Sequence, residues 1–351
     1  MNATFAATPS SSPSAAGGAL RRRRTRRLLG LFALVLALIA AVAASLAYGA
    51  HPVPLDAVWR ALVAPGSGEH DIIVRSLRVP RTVLGVLAGI ALGVGGALMQ
   101  GHTRNPLADP GLLGVNQGAA LGVVLAVVVF GVTSLSTYIW FGFAGALIAA
   151  VVVFVLGTVR GGATPVTLAL AGAAVSALLY GLLSAIVLGD RQGMEMYRFW
   201  HVGSIAGREL AVAGQLAPFL LIGLLLALAN TPGLNSLALG EDVSTALGRD
   251  VRRTRILGIV AITLLVGAAV SACGPIAFVG LLVPHIARAI TGPDYRWLVP
   301  YAGLLGAVLV LAADVLGRLV AGDRLEVGIL LAAVGAPGFI HLVRRRGLSK
   351  I

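Results

Sequence analysis

Residues 28–48 read Leu28-Leu-Gly-Leu-Phe-Ala-Leu-Val-Leu-Ala-Leu-Ile-Ala-Ala-Val-Ala-Ala-Ser-Leu-Ala-Tyr48. No charge interrupts this run, and a helix needs about 20 mostly apolar residues to cross a bilayer core. Directly before it stands Arg21-Arg22-Arg23-Arg24-Thr25-Arg26-Arg27. A basic run followed by an apolar one can also be a secretory signal, but a signal's apolar region is only about 7–15 residues long. Residues 28–48 exceed that, and Ala-x-Ala cleavage patterns carry no information in so Ala-rich a chain. The stretch therefore reads as a retained first membrane span, with cleavage as the alternative. Residues 1–20 are rich in Ser, Ala, Pro and Gly without periodicity and read as disordered. With the arginines they make a basic tail over 1–27.

The same pattern recurs along the chain. Apolar segments fall at about 28–50, 80–101, 113–131, 137–157, 165–188, 213–230, 255–273, 275–291, 297–317 and 326–343. Hydrophobic residues make up 58% of the 351 and charged residues 12%, against about 25% charged in soluble domains. The fold class is an all-α membrane protein with about ten transmembrane helices over residues 28–345, and a short tail at 346–351. Ten is even, so both termini share a side. Basic residues in short loops decide which side that is. With the termini cytoplasmic, 18 of the 27 basic residues and five of the 14 acids face inward. The whole excess of positive charge then lies inside, which determines the orientation; the expected location is the cytoplasmic (inner) membrane. The basic residues flank spans as insertion requires, so no nucleic-acid role is inferred from them; the partner of these surfaces is membrane lipid.

A transporter needs a driving reaction, and this chain carries none. A P-loop ends in Gly-Lys-Ser/Thr, and the only lysine is Lys350, followed by Ile351. Proton carriers place ionisable groups inside spans; only Asp314 and His285 come near, and they keep a proton-coupled secondary carrier as the alternative. No channel filter is evident. Enzymatic signatures are missing too, with no zinc-type His-Glu-x-x-His and no Gly-x-Ser-x-Gly elbow. The six histidines show no i, i+4 pair, and the single cysteine, Cys273, makes no disulfide or cysteine cage. The chain reads as a non-enzyme without metal or cofactor of its own, offering a passive route driven by a partner.

Three loops carry the transport argument. The inner loop 231–255 contains Leu239, Gly240, Glu241, Asp242 and Val243, then Leu247 before Gly248. Glu241–Leu247 reads as a short helix with an acidic first turn, and Leu239, Val243, Ala246 and Leu247 share one side. Such a helix fits a groove in another protein. A helix lying on lipid would be rich in Lys and Arg instead, so docking is favoured. On the outer side, Arg78 and Arg81 precede the second span and Arg318 ends the ninth. Their guanidinium forks suit carboxylates on a partner surface; interfacial anchoring, or an internal pair of Arg318 with Asp314, explains them equally well. Asn105-Pro106-Leu107-Ala108-Asp109-Pro110 cannot be continuous helix. Broken backbone at this depth suits a gate, and a plain turn is the alternative. Gly85, Gly89 and Gly93 line one face of the second span and read as close helix packing.

Together these pieces resemble the FecCD-type permeases of iron-siderophore, haem and cobalamin ABC importers, the type II class. The matching strings are Arg78-Val-Pro-Arg81, Asn105-Pro-Leu-Ala-Asp-Pro-Gly-Leu-Leu-Gly114, Leu168-Ala-Leu-Ala-Gly172, Leu239-Gly-Glu-Asp242, Gly274-Pro-Ile-Ala-Phe-Val-Gly-Leu-Leu-Val-Pro-His285, Ala313-Asp-Val-Leu-Gly-Arg318 and Gly335-Ala-Pro-Gly-Phe339. They run in family order over residues 78–339. The resemblance implies two permease subunits, same or related, above an ABC ATPase dimer that uses ATP, served by an external substrate-binding lipoprotein. It implies that Leu239–Leu247 couples to the ATPase and that Arg78, Arg81 and Arg318 meet acidic residues of the binding protein. Asn105, Pro106 and Leu107 match the family's cytoplasmic gate, with a second, poorly matching segment near Thr164–Val166. Ferric siderophore is the implied substrate, with cobalamin or haem as alternatives. Tyr295 stands where the family often has His.

Overall fold

The computed structural model describes residues 13–64, 66–132, 134–158, 164–322 and 324–346. Among these residues every regular element is helical. The helices are α1 (Pro13–Ala47), α2 (Leu55–Val63), α3 (Glu69–Ile72), α4 (Val79–Thr103), α5 (Val115–Val128), α6 (Leu135–Thr158), α7 (Pro165–Gly189), α8 (Arg191–His201), α9 (Leu210–Leu237), α10 (Glu241–Ala246), α11 (Val251–Cys273), α12 (Val279–Thr291), α13 (Tyr295–Ala321) and α14 (Val327–Arg346). Seven are long and apolar enough to cross a membrane, and α5, α12 and α14 are shorter apolar helices. These ten coincide with the ten segments expected from the sequence.

Helix α5 and α12 are short because the chain before each is unwound inside the bundle. Pro110, after the broken stretch at Asn105, packs beside Gly95 of α4. Gly95 lies eight residues before Thr103, about 12 Å along the helix axis. The chain leaving α4 therefore turns back into the protein before α5 begins. The Gly274–Phe278 stretch does the same for α12, and the carbonyl of Gly280 lies against Gly96. Non-helical backbone at membrane depth is tolerated where protein surrounds it.

Helices α4 and α11 form the mostly buried centre, and the others surround them. Small residues allow this. A Cβ on Gly89 would land 2.5 Å from the Gly306 carbonyl oxygen, and one on Gly93 would land 2.2 Å from that of Ala302. Gly85 abuts Leu311 and Ile205. Of the three glycines expected on one face, Gly89 and Gly93 thus bring α4 into backbone contact with α13 and Gly85 meets side chains, the geometry small residues permit in membranes.

Two boundaries differ from expectation. Helix α1 runs back through the arginines to Pro13, where a disordered tail was expected up to residue 27; Ala, Leu and Arg are strong helix formers, and no proline interrupts residues 14–47. Residues 1–12 and 347–351, expected as tail, lie outside the described residues. The inner loop is shorter than 231–255, because α9 continues through Pro232 to Leu237 and α11 begins at Val251. Proline lacks the N–H that would bond the carbonyl four residues back. Here the Thr231 hydroxyl donates to that carbonyl, Leu228 O, at 2.8 Å.

Candidate functional site

The candidate residues gather at opposite ends of α4. At its N-terminal end Arg81 and Arg318 grip one carboxylate. Arg81 Nε donates to Asp314 Oδ1 at 2.9 Å and its Nη2 lies 2.8 Å from the same oxygen. Arg318 Nη2 lies 3.0 Å from Asp314 Oδ2, one helical turn away on α13. Asp314 is 1% and Arg318 3% exposed. The internal pair of Arg318 with Asp314 therefore exists, with Arg81 as its third member.

The arginines also hold the end of α1. Arg318 Nη1 donates to the carbonyls of Ser45 (3.0 Å) and Tyr48 (2.7 Å). Arg78 Nη1 donates to Leu46 O at 2.6 Å, and its Nη2 reaches His51 O. The last carbonyls of a helix lack intrahelical donors and carry partial negative charge, so guanidinium groups satisfy both needs. Beside them opens a cavity of about 430 Å³ lined by Arg78, Arg81, Arg208, Glu209 and Arg318, with His51 at its edge. Four guanidinium groups against one lining carboxylate leave it electropositive, with Asp314 behind the wall.

At the other end of α4 stand the expected gate and coupling residues. Arg104 closes α4 in the left-handed conformation (φ +49°). Asn105 Oδ1 accepts from Leu107 N at 2.9 Å, and Ala108 N donates to Asn105 O at 3.1 Å. Asn105-Pro106-Leu107 is thus a tight turn with Leu107 exposed. Thr164, of the second gate segment, caps α7 by accepting from Thr167 N at 3.1 Å; residues 159–163 before it lie outside the described residues.

The helix expected to couple is α10. Gly240 starts it at φ +107°, a conformation only glycine adopts without strain. Ser244 is buried, and its hydroxyl donates to Ser236 Oγ at 3.1 Å. Glu241 pairs with Arg255 of α11 and lies 3.7 Å from Arg104 Nη2. Leu239, Val243 and Leu247 are 62%, 46% and 63% exposed. Val243 lies on the helix, Leu239 precedes it and Leu247 caps its end, so α10 and its two flanks carry exposed apolar side chains, with Asp242 exposed beside them.

Sequence reasoning missed Arg104 and Arg255. Both counted only as inner positive charge, and nothing local marks them as partners of Glu241. It also missed Arg208, whose only signal was its place beside Glu209 after α8. Tyr295 packs its hydroxyl against Gly101, and Arg288 Nη2 donates to it at 3.4 Å.

Residues 36–345 match the model of the FecCD transport family. This chain belongs to that family. The FecCD chain is 45% identical over 322 residues to the ferric enterobactin transport system permease protein FepD of Escherichia coli K12, covering 91% of this chain and 96% of that one. It is 39% identical to the Fe(3+)-citrate import system permease protein YfmD of Bacillus subtilis 168, covering 93% and 97%. A solved inward-facing structure of a metal-chelate type ABC transporter superposes with a TM-score of 0.80 at 28% identity, over 90% of this chain and 98% of that one. The family is one of transport permeases and not of catalysts, and this member is a multi-pass permease of the inner membrane.

Proposed function

We propose that this FecCD permease is the membrane-spanning subunit of an ABC importer for ferric siderophores. It pairs with a second permease subunit and is driven by ATP hydrolysed in a separate ATPase dimer. The exposed side chains of Leu239, Val243 and Leu247 carry this reading. Three large apolar side chains on and flanking a short helix pinned by Glu241 and Ser244 fit a partner's groove, and the chain has no phosphate-gripping lysine of its own. The substrate class rests on the ferric enterobactin and ferric citrate relatives. The α10 end of the bundle faces the cytoplasm in this reading. Asn105-Pro106-Leu107 forms the gate there, next to α10 through Arg104.

The opposite cavity receives an acidic side chain of an external substrate-binding lipoprotein. Arg318 and Arg78 are enclosed, so the partner's carboxylate reaches them only by entering that cavity, where guanidinium forks offer bidentate contacts. Glu241 and Asp242 lie at the other end, so no acid of α10 competes for it.

The test is reconstitution in liposomes with the ATPase and binding protein. ATP-dependent uptake of a ferric catecholate is expected, and cobalamin and haem serve as competitors. Replacing Leu239, Val243 and Leu247 by Glu should abolish ATP-dependent uptake and ATPase co-purification while the protein still inserts. Uphill uptake by the isolated chain under a pH gradient, without ATPase, overturns the proposal.

A further inference from the structure

The arginines at the start of α1 play no part in the gate, the α10 segment or the outer cavity. We infer that Arg22, Arg23, Arg24 and Arg26 form a binding surface for anionic phospholipid headgroups. The inference needs only that α1 spans the membrane, and it stands apart from the transport reading.

Three observations carry it. The first is depth. Arg27 Nη2 donates to Thr291 O at 2.6 Å, and its Nη1 lies 3.9 Å from Asp294 Oδ2. Its guanidinium sits 5.8 Å from the Trp297 ring centre, and its carbonyl accepts from Tyr301 Oη at 2.6 Å. Thr291 ends α12 and Asp294 caps α13, so Arg27 marks the level of a turn at the bundle's edge. A tryptophan and a tyrosine at this level fit the membrane–water interface. Arg22–Arg26 lie within about 8 Å beyond it along the same helix, at headgroup height.

The second is direction. Leu29, Phe32, Leu36 and Ile39 are exposed along one stripe of α1, with the three- and four-residue spacing of a single helix face. This is the face α1 turns to the acyl chains. Arg22 and Arg26 continue it, seven and three residues before Leu29. Arg22, Arg23, Arg24 and Arg26 are all exposed, whereas Arg27 turns inward to the bundle. Arg22 and Arg26 therefore lie on the protein's lipid-facing rim, and Arg23 and Arg24 are exposed at other angles around the same turns of α1.

The third is charge. No acid occurs before Asp56, and among the described residues no carboxylate pairs with these four. A basic cluster next to a membrane helix attracts anionic lipid, and one basic residue near an anionic leaflet is worth about 1 kcal/mol.

The experiment uses the full chain in nanodiscs of mixed phosphatidylglycerol and phosphatidylcholine. After extraction, the lipid retained by the protein is counted by native mass spectrometry. The intact chain should retain phosphatidylglycerol in excess of the bulk mixture by about fivefold or more, the effect of a single basic residue. A variant with Arg22, Arg23, Arg24 and Arg26 all changed to Gln should lose about fivefold or more of that excess with an unchanged melting temperature. The same four changed to Lys should keep the excess. Equal phosphatidylglycerol retention by the Gln variant overturns the inference. So does loss of ATPase co-purification from that variant in pure phosphatidylcholine, which would assign the surface to a protein.

Discussion

At the scale of single residues, charge was legible in the sequence and its long-range partners were not. Asp314, four residues from Arg318, was readable as its partner, but Ser45, Leu46, Tyr48 and His51, and Asp314 as the partner of Arg81, lie far from the arginines that hold them. Removing one member of a buried ion pair strands the other charge and costs about 3–5 kcal/mol. Asp314→Asn, which strands both Arg81 and Arg318, should therefore lower the thermal midpoint in detergent sharply. Arg60→Gln, which breaks the exposed pair with Asp56, should change stability by no more than about 0.5 kcal/mol. Equal midpoints for the two variants would remove the clamp from the argument. A second site tests packing. A Cβ on Gly258 would fall 1.6 Å from His102 Nε2, which lies 3.4 Å from Asn230 Nδ2. Gly258→Ala should destabilise the protein by about 1–3 kcal/mol through overpacking. Adding His102→Ala should recover much of that loss. A double variant no better than the single one would show that the histidine is not the obstacle.

At the scale of elements, apolar length located ten helices, and it failed where a side chain repaired the backbone. The Thr231-Pro232-Gly233 stretch has the composition of a helix stop, and the Thr231 hydroxyl cancels that signal. Helix α10 was legible because Gly240, the acids and Gly248 punctuate it locally. Its attachment was not, since Arg104 and Arg255 belong to other helices. Among the described residues Glu241 is the one acidic side chain joining α10 to both the end of α4 and α11. Glu241→Gln keeps the shape and removes the charge. Hydrogen exchange should then speed up across residues 241–247, while the amides of buried α11 stay protected. In the reconstituted importer, ATP hydrolysis should continue with reduced uptake per ATP. Unchanged exchange in α10 would mean that the Ser244–Ser236 contact alone holds the helix.

At the scale of the whole molecule, the distribution of basic residues predicts an orientation that the helix packing by itself does not. Nothing in the packing of α4 against α13 tells inside from outside. The arginines do, because insertion retains short basic loops on the cytoplasmic side. Leu247, which caps α10, and Trp59 on α2 are both exposed, and they lie toward opposite ends of α4. Cys273 is the only cysteine and is buried, so Cys273→Ala gives a cysteine-free background. In right-side-out spheroplasts an impermeant maleimide should label Trp59→Cys and spare Leu247→Cys. Inverted vesicles should show the reverse, and Arg22→Cys should label with Leu247→Cys, since α1 starts on the side where α10 sits. Labelling of Leu247→Cys in intact spheroplasts would put the α10 segment outside, out of reach of any ATPase. The lipid-binding surface on α1 would survive that result, and the proposed direction of import would not.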